Sequence, residues 1–131
     1  MLQLKHIMLI DDDNIFNFLN KQIIKIDNFA EKVSSHINAV NALEELKKFS
    51  ESNSECFPDL IFLDINMPVM DGWQFLEEFE KLPDRCISKC KVYMLSSSID
   101  PEDIEKSRTF KTVKDFISKP LTEETLASMA N

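Results

Sequence analysis

The sequence predicts an α/β protein in which the strands of a parallel sheet alternate with helices. Two observations support this. Short apolar runs recur along the chain, and most of them are followed by stretches whose apolar residues repeat at helical spacing. An uninterrupted apolar run is typical of a strand that is buried on both faces, as in parallel sheets. The length of 131 residues fits one domain.

The first half of the chain contains three predicted strands and two predicted helices. Strands are expected over residues 4–10, 33–37 and 59–63, and the second is polar enough to favour a sheet edge. A helix is expected from residue 14 to about 27, and another from residue 39 towards residue 49, followed by a polar loop over residues 50–56. The apolar residues at helical spacing in these two helices are Ile15, Phe16, Leu19, Ile23, Ile26, Ala39, Leu43 and Leu46.

The second half continues the alternation with three more helices and two more strands. Trp73, Leu76 and Phe79 mark a third helix, and strands are expected over residues 91–95 and 115–118. Between these strands, Asp100 and Pro101 are the capping residue and first residue of a fourth helix. A fifth helix is expected from residue 122 to about 130. Five strands and five helices with right-handed crossovers are therefore predicted.

Gly72 is the only glycine, although average usage would give about nine in a chain of this length. It follows Asp71 and precedes a predicted helix. This position predicts a turn in which the glycine adopts a positive φ.

The composition excludes several functional classes. A formal net charge of -8 and a pI near 4.7 argue against nucleic acid or an anionic membrane as a direct partner. Cys56, Cys86 and Cys90 cannot all pair, and their spacing is not that of a zinc site, so free thiols are expected. The sequence has no apolar stretch long enough for a signal peptide or a membrane span, and we expect a cytoplasmic protein.

Carboxylates follow two of the predicted strands. Asp11, Asp12 and Asp13 come directly after the first strand, and Asp64 follows the third. If these strands are neighbours, about 4.8 Å separates them, so the carboxylates of Asp11, Asp12 and Asp64 lie close together and repel one another. An all-oxygen site of this kind suits Mg²⁺, whereas Asp13 is expected to cap the first helix.

Further polar groups are predicted at the same edge of the sheet. Asn66 follows Asp64 by two residues, Ser96 ends the fourth strand, and Lys119 with Pro120 follows the fifth. Ligands of open α/β sheets bind at the carboxyl ends of the strands. Carboxylates, a hydroxyl and an ammonium group at this edge suit phosphoryl chemistry.

At these residues the chain resembles the response-regulator receiver family of two-component signalling. The resemblance covers nearly the whole chain and rests on four motifs that occur in order. They are the apolar run that ends at Asp11-Asp12-Asp13, the segment from Asp64 to Gly72, the segment that ends at Ser96-Ser97, and the segment that ends at Lys119-Pro120. It implies a (βα)5 flavodoxin-like fold with the strand order 2-1-3-4-5.

The resemblance also implies a role for each site residue. Asp64 is expected to accept a phosphoryl group from a phosphohistidine of a histidine kinase or a phosphotransfer protein. Mg²⁺ is expected on Asp12, Asp64 and the backbone carbonyl of Asn66, with Asp11 acting largely through water. Lys119 is expected to neutralise a phosphoryl oxygen.

In the family, the phosphorylated state is read out and timed by further positions. Ser96 is expected to bond the phosphoryl group, after which Phe116 repacks and changes the surface of the fourth helix, the fifth strand and the fifth helix. Asn66 and Ser98 are expected to tune the lifetime of the acyl phosphate. The chain departs from the commoner family pattern in having serine instead of threonine at residue 96 and phenylalanine instead of tyrosine at residue 116, and in having Thr112 with Val113 where a Gly-Ala step is common.

Two other functions are compatible with parts of the pattern. A metal-dependent phosphohydrolase also uses a strand-terminal aspartate, but it usually needs an acid-base aspartate at the position that Asn66 holds. A pseudo-receiver would only bind partners, yet every side chain needed for phosphorylation is present. The sequence ends after the last predicted helix, so we expect no output domain and signalling through protein contacts, by a single-domain regulator, a relay intermediate or an excised fragment.

Overall fold

Five parallel strands form one sheet in the order β2-β1-β3-β4-β5. The structure is a computed structural model that describes residues 4–52, 54–97, 100–119 and 121–129. The predicted fold class and strand order are confirmed. The strands are β1 Leu4–Ile10, β2 Ala30–His36, β3 Leu60–Asp64, β4 Lys91–Ser96 and β5 Val113–Ser118, and the helices are α1 Asn14–Ile26, α2 Ala39–Ser52, α3 Gly72–Phe79, α4 Asp84–Ile87, α5 Pro101–Ser107 and α6 Glu123–Met129.

Several predicted boundaries were wrong. The described residues contain six helices instead of five, because α4 follows Pro83 and is only four residues long, too short to show a helical period. Strand β2 begins at Ala30 and β5 at Val113, earlier than predicted. The predicted polar loop is instead the end of α2 and a 3-10 turn over Ser54–Cys56.

The strands carry apolar residues on both faces because each face of the sheet is covered by helices. Met8 and Ile10 of β1 pack with helices α2, α3 and α4, whereas Ile7 and Leu9 pack with α1 and α6. Strand β2 lies at an edge, as its polar sequence predicts. None of the helices in the described ranges is both long and apolar enough to cross a membrane.

Helix α1 presents a different face to the sheet from the one predicted. Its buried residues are Asn17, Asn20 and Ile24. Ile15 and Ile26, which were predicted to face the core, are 69% and 71% exposed, and Leu19 and Phe18 are also exposed. Apolar residues occur around much of this helix, so the periodicity alone cannot select the buried face. Only Ile23 and Phe16 of the predicted set are partly covered.

Strand β5 begins with a bulge. Val92 of β4 pairs with Val113, but the next residue, Tyr93, pairs with Asp115, so Lys114 has no partner in the register. This shift allows Val113 and Phe116, three residues apart, to pack against the same core cluster. The start of the strand is fixed by Thr112, whose backbone N–H and hydroxyl both donate to a carboxylate oxygen of Glu80, at 2.9 and 2.7 Å.

Gly72 does not have the positive φ that its sequence position predicts. The positive φ in this loop belongs to Val69, at 70°. Glycine is required at residue 72 for space. A Cβ there would lie 2.8 Å from the backbone oxygen of Asp64 and 3.0 Å from Cα of Ile65. The Gly72 N–H also donates to the carbonyl of Ile65 at 2.8 Å, so α3 starts in direct contact with the end of β3.

Gly72→Ala is therefore expected to destabilise the protein by about 1–3 kcal/mol, because the added methyl group meets backbone and not a movable side chain. Urea unfolding measures the effect. The sign is informative, since alanine ordinarily stabilises a helix relative to glycine by up to about 1 kcal/mol. A variant as stable as the parent chain would contradict the close packing between α3 and β3.

Candidate functional site

The carboxylates predicted to meet at the sheet edge do so. Ile10 of β1 pairs with Leu63 of β3, so the residues that follow them, Asp11 and Asp64, emerge side by side. One carboxylate oxygen each from Asp11, Asp12 and Asp64 lies within 4.8 Å of the others. Asp11 and Asp64 are buried, whereas Asp12 is exposed. Solvent therefore reaches the cluster on the side of Asp12.

Asp11 is held by hydrogen bonds to β2, to helix α1 and within the turn between β1 and α1. Its backbone N–H donates to the carbonyl of His36, and its carbonyl accepts from Nδ2 of Asn17 at 2.8 Å. Its Oδ1 accepts from the backbone N–H of Asp13 at 2.9 Å. The Asp13 carboxylate accepts from the N–H of Ile15, which confirms Asp13 as the cap of α1. The buried polar face of α1 therefore orients an acidic residue of the site.

Lys119 brings a positive charge into the cluster from β5. Its ammonium group lies 2.7 Å from Oδ2 of Asp11 and 3.2 Å from Oδ1 of Asp64. Its backbone N–H donates to the carbonyl of Ser96 at 2.8 Å, which fixes the end of β5 against β4. The ammonium group also lies 4.6 Å from the centre of the Phe16 ring, a cation–π distance.

The electrostatics of the cluster leave Asp64 ready to gain a cation. Burial and the charge of Asp11 raise the pKa of Asp64 to about 6, against its usual 3.8, even though Lys119 opposes the shift. Burial lowers the pKa of Lys119, but its hydrogen bond to Asp11 and the charges of Asp11 and Asp64 outweigh this, so the pKa is raised and Lys119 stays charged. Three clustered carboxylates, two of which contact one ammonium group, form a donor set that fits Mg²⁺.

The structure gives the burial and position of the other predicted site residues. Ser96 is buried at the end of β4, beside the Asp64 end of β3. Asn66 is exposed, two residues after Asp64, and Phe116 is half-buried against the core. Ser98 and Pro120 lie outside the described residues.

The predicted site did not include the apolar surface beside it. Ile15, Phe18, Leu19 and Ile26 are exposed along one side of α1, here called the α1 apolar face. A second surface, here called the Asp12 groove, has a volume of ≈ 620 Å³ and is lined by Asp12, Ile37, Asn38, Val40, Asn41, Pro68 and Val69. The sequence signal for this surface is the presence of three asparagines in α1, because buried asparagines leave apolar residues of the same helix in solvent.

Val69 in this groove is strained as well as exposed. It is 93% exposed and has a φ of 70°. A β-branched residue rarely adopts this conformation, which costs about 1–2 kcal/mol relative to glycine. Folding does not require an apolar, β-branched side chain at such a position, so its place next to Asp12 favours a role in binding.

Comparisons with known proteins identify the family of this chain. A family model described as the response regulator receiver domain matches residues 7–131. The chain belongs to this family. The receiver domain is 32% identical over 115 residues to the chemotaxis protein CheY of Listeria monocytogenes, covering 87% of this chain and 85% of the relative. It is 29% identical to CheY of Bacillus subtilis, covering 96% and 95% of the two chains.

Solved structures show the same fold. The receiver domain superimposes on a two-component response regulator from Cytophaga hutchinsonii with a TM-score of 0.91 and 34% identity, covering 99% of this chain and 96% of the other. A receiver protein from Dyadobacter fermentans gives a TM-score of 0.84 at 23% identity over 95% and 94% of the two chains, which shows the fold alone. The chain is therefore a CheY-like receiver domain of a response regulator.

The charge crowding predicts a pH-dependent stability for the metal-free protein. Because the pKa of Asp64 is higher in the folded than in the unfolded protein, the carboxyl group favours folding below pH 4, and this contribution is lost as the pH rises through about 6. The difference in pKa corresponds to about 3 kcal/mol at most. Asp64→Asn removes the ionisation, so we expect it to be more stable than the parent chain above pH 7.

Urea unfolding in EDTA, compared at pH 4 and pH 7.5, measures this effect. The gain of Asp64→Asn should nearly vanish at pH 4. Asp13→Asn is the matched control, since it removes a neighbouring exposed charge and keeps a capping side chain. An equal gain in the free energy of unfolding at both pH values would show that neighbouring groups do not raise the pKa of Asp64.

Proposed function

We propose that this receiver domain accepts a phosphoryl group on Asp64 from a phosphohistidine of a histidine kinase or phosphotransfer protein, with Mg²⁺ as cofactor. The observation that supports the proposal best is the cluster itself: two buried carboxylates that contact the ammonium group of Lys119, with the exposed carboxylate of Asp12 beside them. Family membership supports the same chemistry. Ser96 and Lys119 lie at the same edge of the sheet as the carboxylates, which also supports the proposal.

The chemistry is a displacement at phosphorus. One carboxylate oxygen of Asp64 forms a bond to phosphorus while the bond from phosphorus to the imidazole nitrogen of the donor breaks, and that nitrogen keeps the electron pair. A carboxylate is a weak nucleophile, so positioning and charge neutralisation provide most of the rate. Mg²⁺ held by Asp12, Asp64 and the carbonyl of Asn66, with Asp11 acting largely through water, would offset the charge of the phosphoryl oxygens.

Lys119 is the residue whose contacts must change. Its ammonium group lies between Asp11 and Asp64, and the shorter contact is to Asp11. When Asp64 gains the phosphoryl group, Lys119 can keep Asp11 and exchange the longer contact for a phosphoryl oxygen. Its backbone bond to Ser96 joins this exchange to β4.

The readout is proposed to pass through Ser96 and Phe116. Ser96 is buried at the end of β4 and is assigned the hydrogen bond to the bound phosphoryl group. Phe116 is half-buried on β5, so it can repack without opening the core. The lifetime of the acyl phosphate is assigned to Asn66, which would place the hydrolytic water, and to Ser98, whose small uncharged side chain would not hinder that water, so we expect an intermediate lifetime.

The α1 apolar face and the Asp12 groove favour a protein as the phosphoryl donor. Helix α1 begins directly after Asp13, so the exposed Ile15, Phe18 and Leu19 lie in its first two turns, at the end of the helix nearer the acidic residues. The groove adds Ile37, Val40 and Val69 beside Asp12 itself. A donor protein with an apolar patch around its phosphohistidine would bury these side chains while its phosphoryl group reached Asp64. A small-molecule donor would leave them exposed.

Acetyl phosphate tests the chemistry without a partner. With Mg²⁺, intact-mass measurement should show the gain of one phosphoryl group, mapped to Asp64. The gain should be absent from Asp64→Asn and much reduced by EDTA or in Asp12→Ala, whereas Asp13→Asn should behave like the parent chain. A phosphoryl group mapped to another residue would contradict the assignment, as would continuous hydrolysis of p-nitrophenyl phosphate, which would favour a phosphohydrolase.

Substitutions in the α1 apolar face should separate protein donors from small donors. Phe18→Ser and Leu19→Ser are each expected to slow transfer from a phosphorylated histidine kinase or phosphotransfer protein by about tenfold, since each removes about 1–2 kcal/mol of apolar burial. Phosphorylation by acetyl phosphate should not change. Ile26→Ser is the matched control, because Ile26 is more exposed than Phe18 or Leu19 but lies near the other end of α1, about 16 Å from Ile15.

The donor is found by screening a panel of purified kinases and phosphotransfer proteins for transfer to the parent chain. Equal transfer rates for the parent, Phe18→Ser and Ile26→Ser would place the docking surface elsewhere. A loss with acetyl phosphate as well would indicate that the substitution disturbs the site instead of the docking.

A further inference from the structure

A second cavity lies at the edge of the sheet opposite the acidic site. It has a volume of ≈ 590 Å³ and lies where strands β4 and β5 begin, between helix α4 and the turn that precedes β5. Because the strands are parallel, this is the far end of the two strands that deliver Ser96 and Lys119. The cavity therefore shares no lining residue with the acidic cluster.

The lining of this cavity is strongly basic although the whole chain is acidic. Lys89, Lys91, Lys111 and Lys114 line it, and Asp84 is the acidic residue among its lining residues. The chain as a whole has a formal net charge of -8. The ammonium group of Lys111 is 3.5 Å from Asp84, a largely exposed pair that contributes little to folding. The four lysines line one opening, so an anion bound there would be attracted by several like charges at once.

The fold directs one of these lysines to the cavity by an irregularity. The bulge at the start of β5 leaves Lys114 without a partner in the register between β4 and β5. A bulge redirects the side chain at that position. Lys91 lies at the first residue of β4, on the neighbouring strand, and lines the same cavity.

The cavity also has fixed walls and an apolar floor. Thr112 is buried and held by two hydrogen bonds to Glu80, so the turn between Lys111 and Lys114 is anchored. Ile87 and Cys90 are buried and line the cavity. Burial raises the pKa of the Cys90 thiol, so Cys90 is an apolar surface and not a nucleophile. Lysine stems add further apolar area.

We propose that this cavity binds a small organic polyanion that carries two or more phosphate or carboxylate groups on an apolar body. Its volume is typical of small-ligand sites, which measure about 300–1,000 Å³. The lysines would bind the anionic groups, and Ile87 and Cys90 would contact the apolar body. The cavity is half open and lies between two turns, so it suits a small molecule better than an acidic peptide, which needs an extended groove. The proposal does not depend on phosphorylation of Asp64.

Titration followed by ¹H–¹⁵N NMR tests the site, with protein and probes first passed over a chelating resin so that metal complexes do not contribute and no soluble chelator competes for the cavity. ADP is the phosphate probe, citrate the carboxylate probe and hexaglutamate the peptide probe. We expect ADP or citrate to bind saturably with one site and to shift the amides of residues 87–91 and 111–114. The probe that binds more tightly identifies which anionic group the site prefers.

The variant Lys91→Ala/Lys114→Ala should bind the preferred probe at least about tenfold more weakly, a loss of about 1.4 kcal/mol. Its matched control is Lys47→Ala/Lys48→Ala, which removes the same charge from the exposed surface of α2. Both variants alter exposed lysines, and urea unfolding confirms that each is folded. Equal affinity of the two variants, shifts centred on Lys119, non-saturable binding or tighter binding of hexaglutamate would each overturn the proposal.

Discussion

The contact of one ammonium group with two buried carboxylates is the interaction on which the site depends. Lys119 lies 2.7 Å from Asp11 and 3.2 Å from Asp64, and all three groups are largely withdrawn from water. Without this cation, adjacent strands would place like charges against each other in a poorly hydrated environment. The rest of the architecture follows from delivering the three residues to one edge: β1 supplies Asp11, β3 supplies Asp64, and β5 supplies Lys119 by way of its bond to β4.

The same contact leaves the cluster with an excess of negative charge. Asp12 is the exposed member, so a cation entering from solvent meets it first, and Asp64 has a pKa raised to about 6 that a cation would lower again. Lys119 has a stronger hold on Asp11 than on Asp64. A cation that binds beside Asp64 would therefore relieve the repulsion that raises the pKa of this carboxyl group.

Much of the fold could be predicted because parallel strands buried on both faces leave continuous apolar runs in the sequence. The acidic site could be predicted because each of its residues directly follows such a run. The short helix α4 could not, since four residues show no period. The role of Gly72 was also misassigned: a glycine before a helix suggests a turn, whereas the need for space beside Asp64 and Ile65 arises only when β3 and α3 are packed. The bulge at Lys114 depends on the same kind of tertiary packing.

In helix α1, the spacing of apolar residues predicted the wrong buried face. Local pattern and tertiary burial usually agree, and a disagreement often marks a functional surface. Here Asn17 is buried because it donates to the carbonyl of Asp11, and Ile15 and Phe18, near the same end of the helix, are left in solvent. The strained, exposed Val69 belongs to the same pattern. These residues are better explained by a partner than by folding.

Proton release on Mg²⁺ binding tests the central claim most directly, because a cation that relieves the crowded carboxylates must displace the proton that Asp64 retains near pH 6. Isothermal titration in two buffers with different ionisation enthalpies measures it. We expect release of about half a proton at pH 6, close to none at pH 8, and tighter binding at the higher pH. Binding of Mg²⁺ with no proton release at pH 6, or with the same affinity at both pH values, would contradict it.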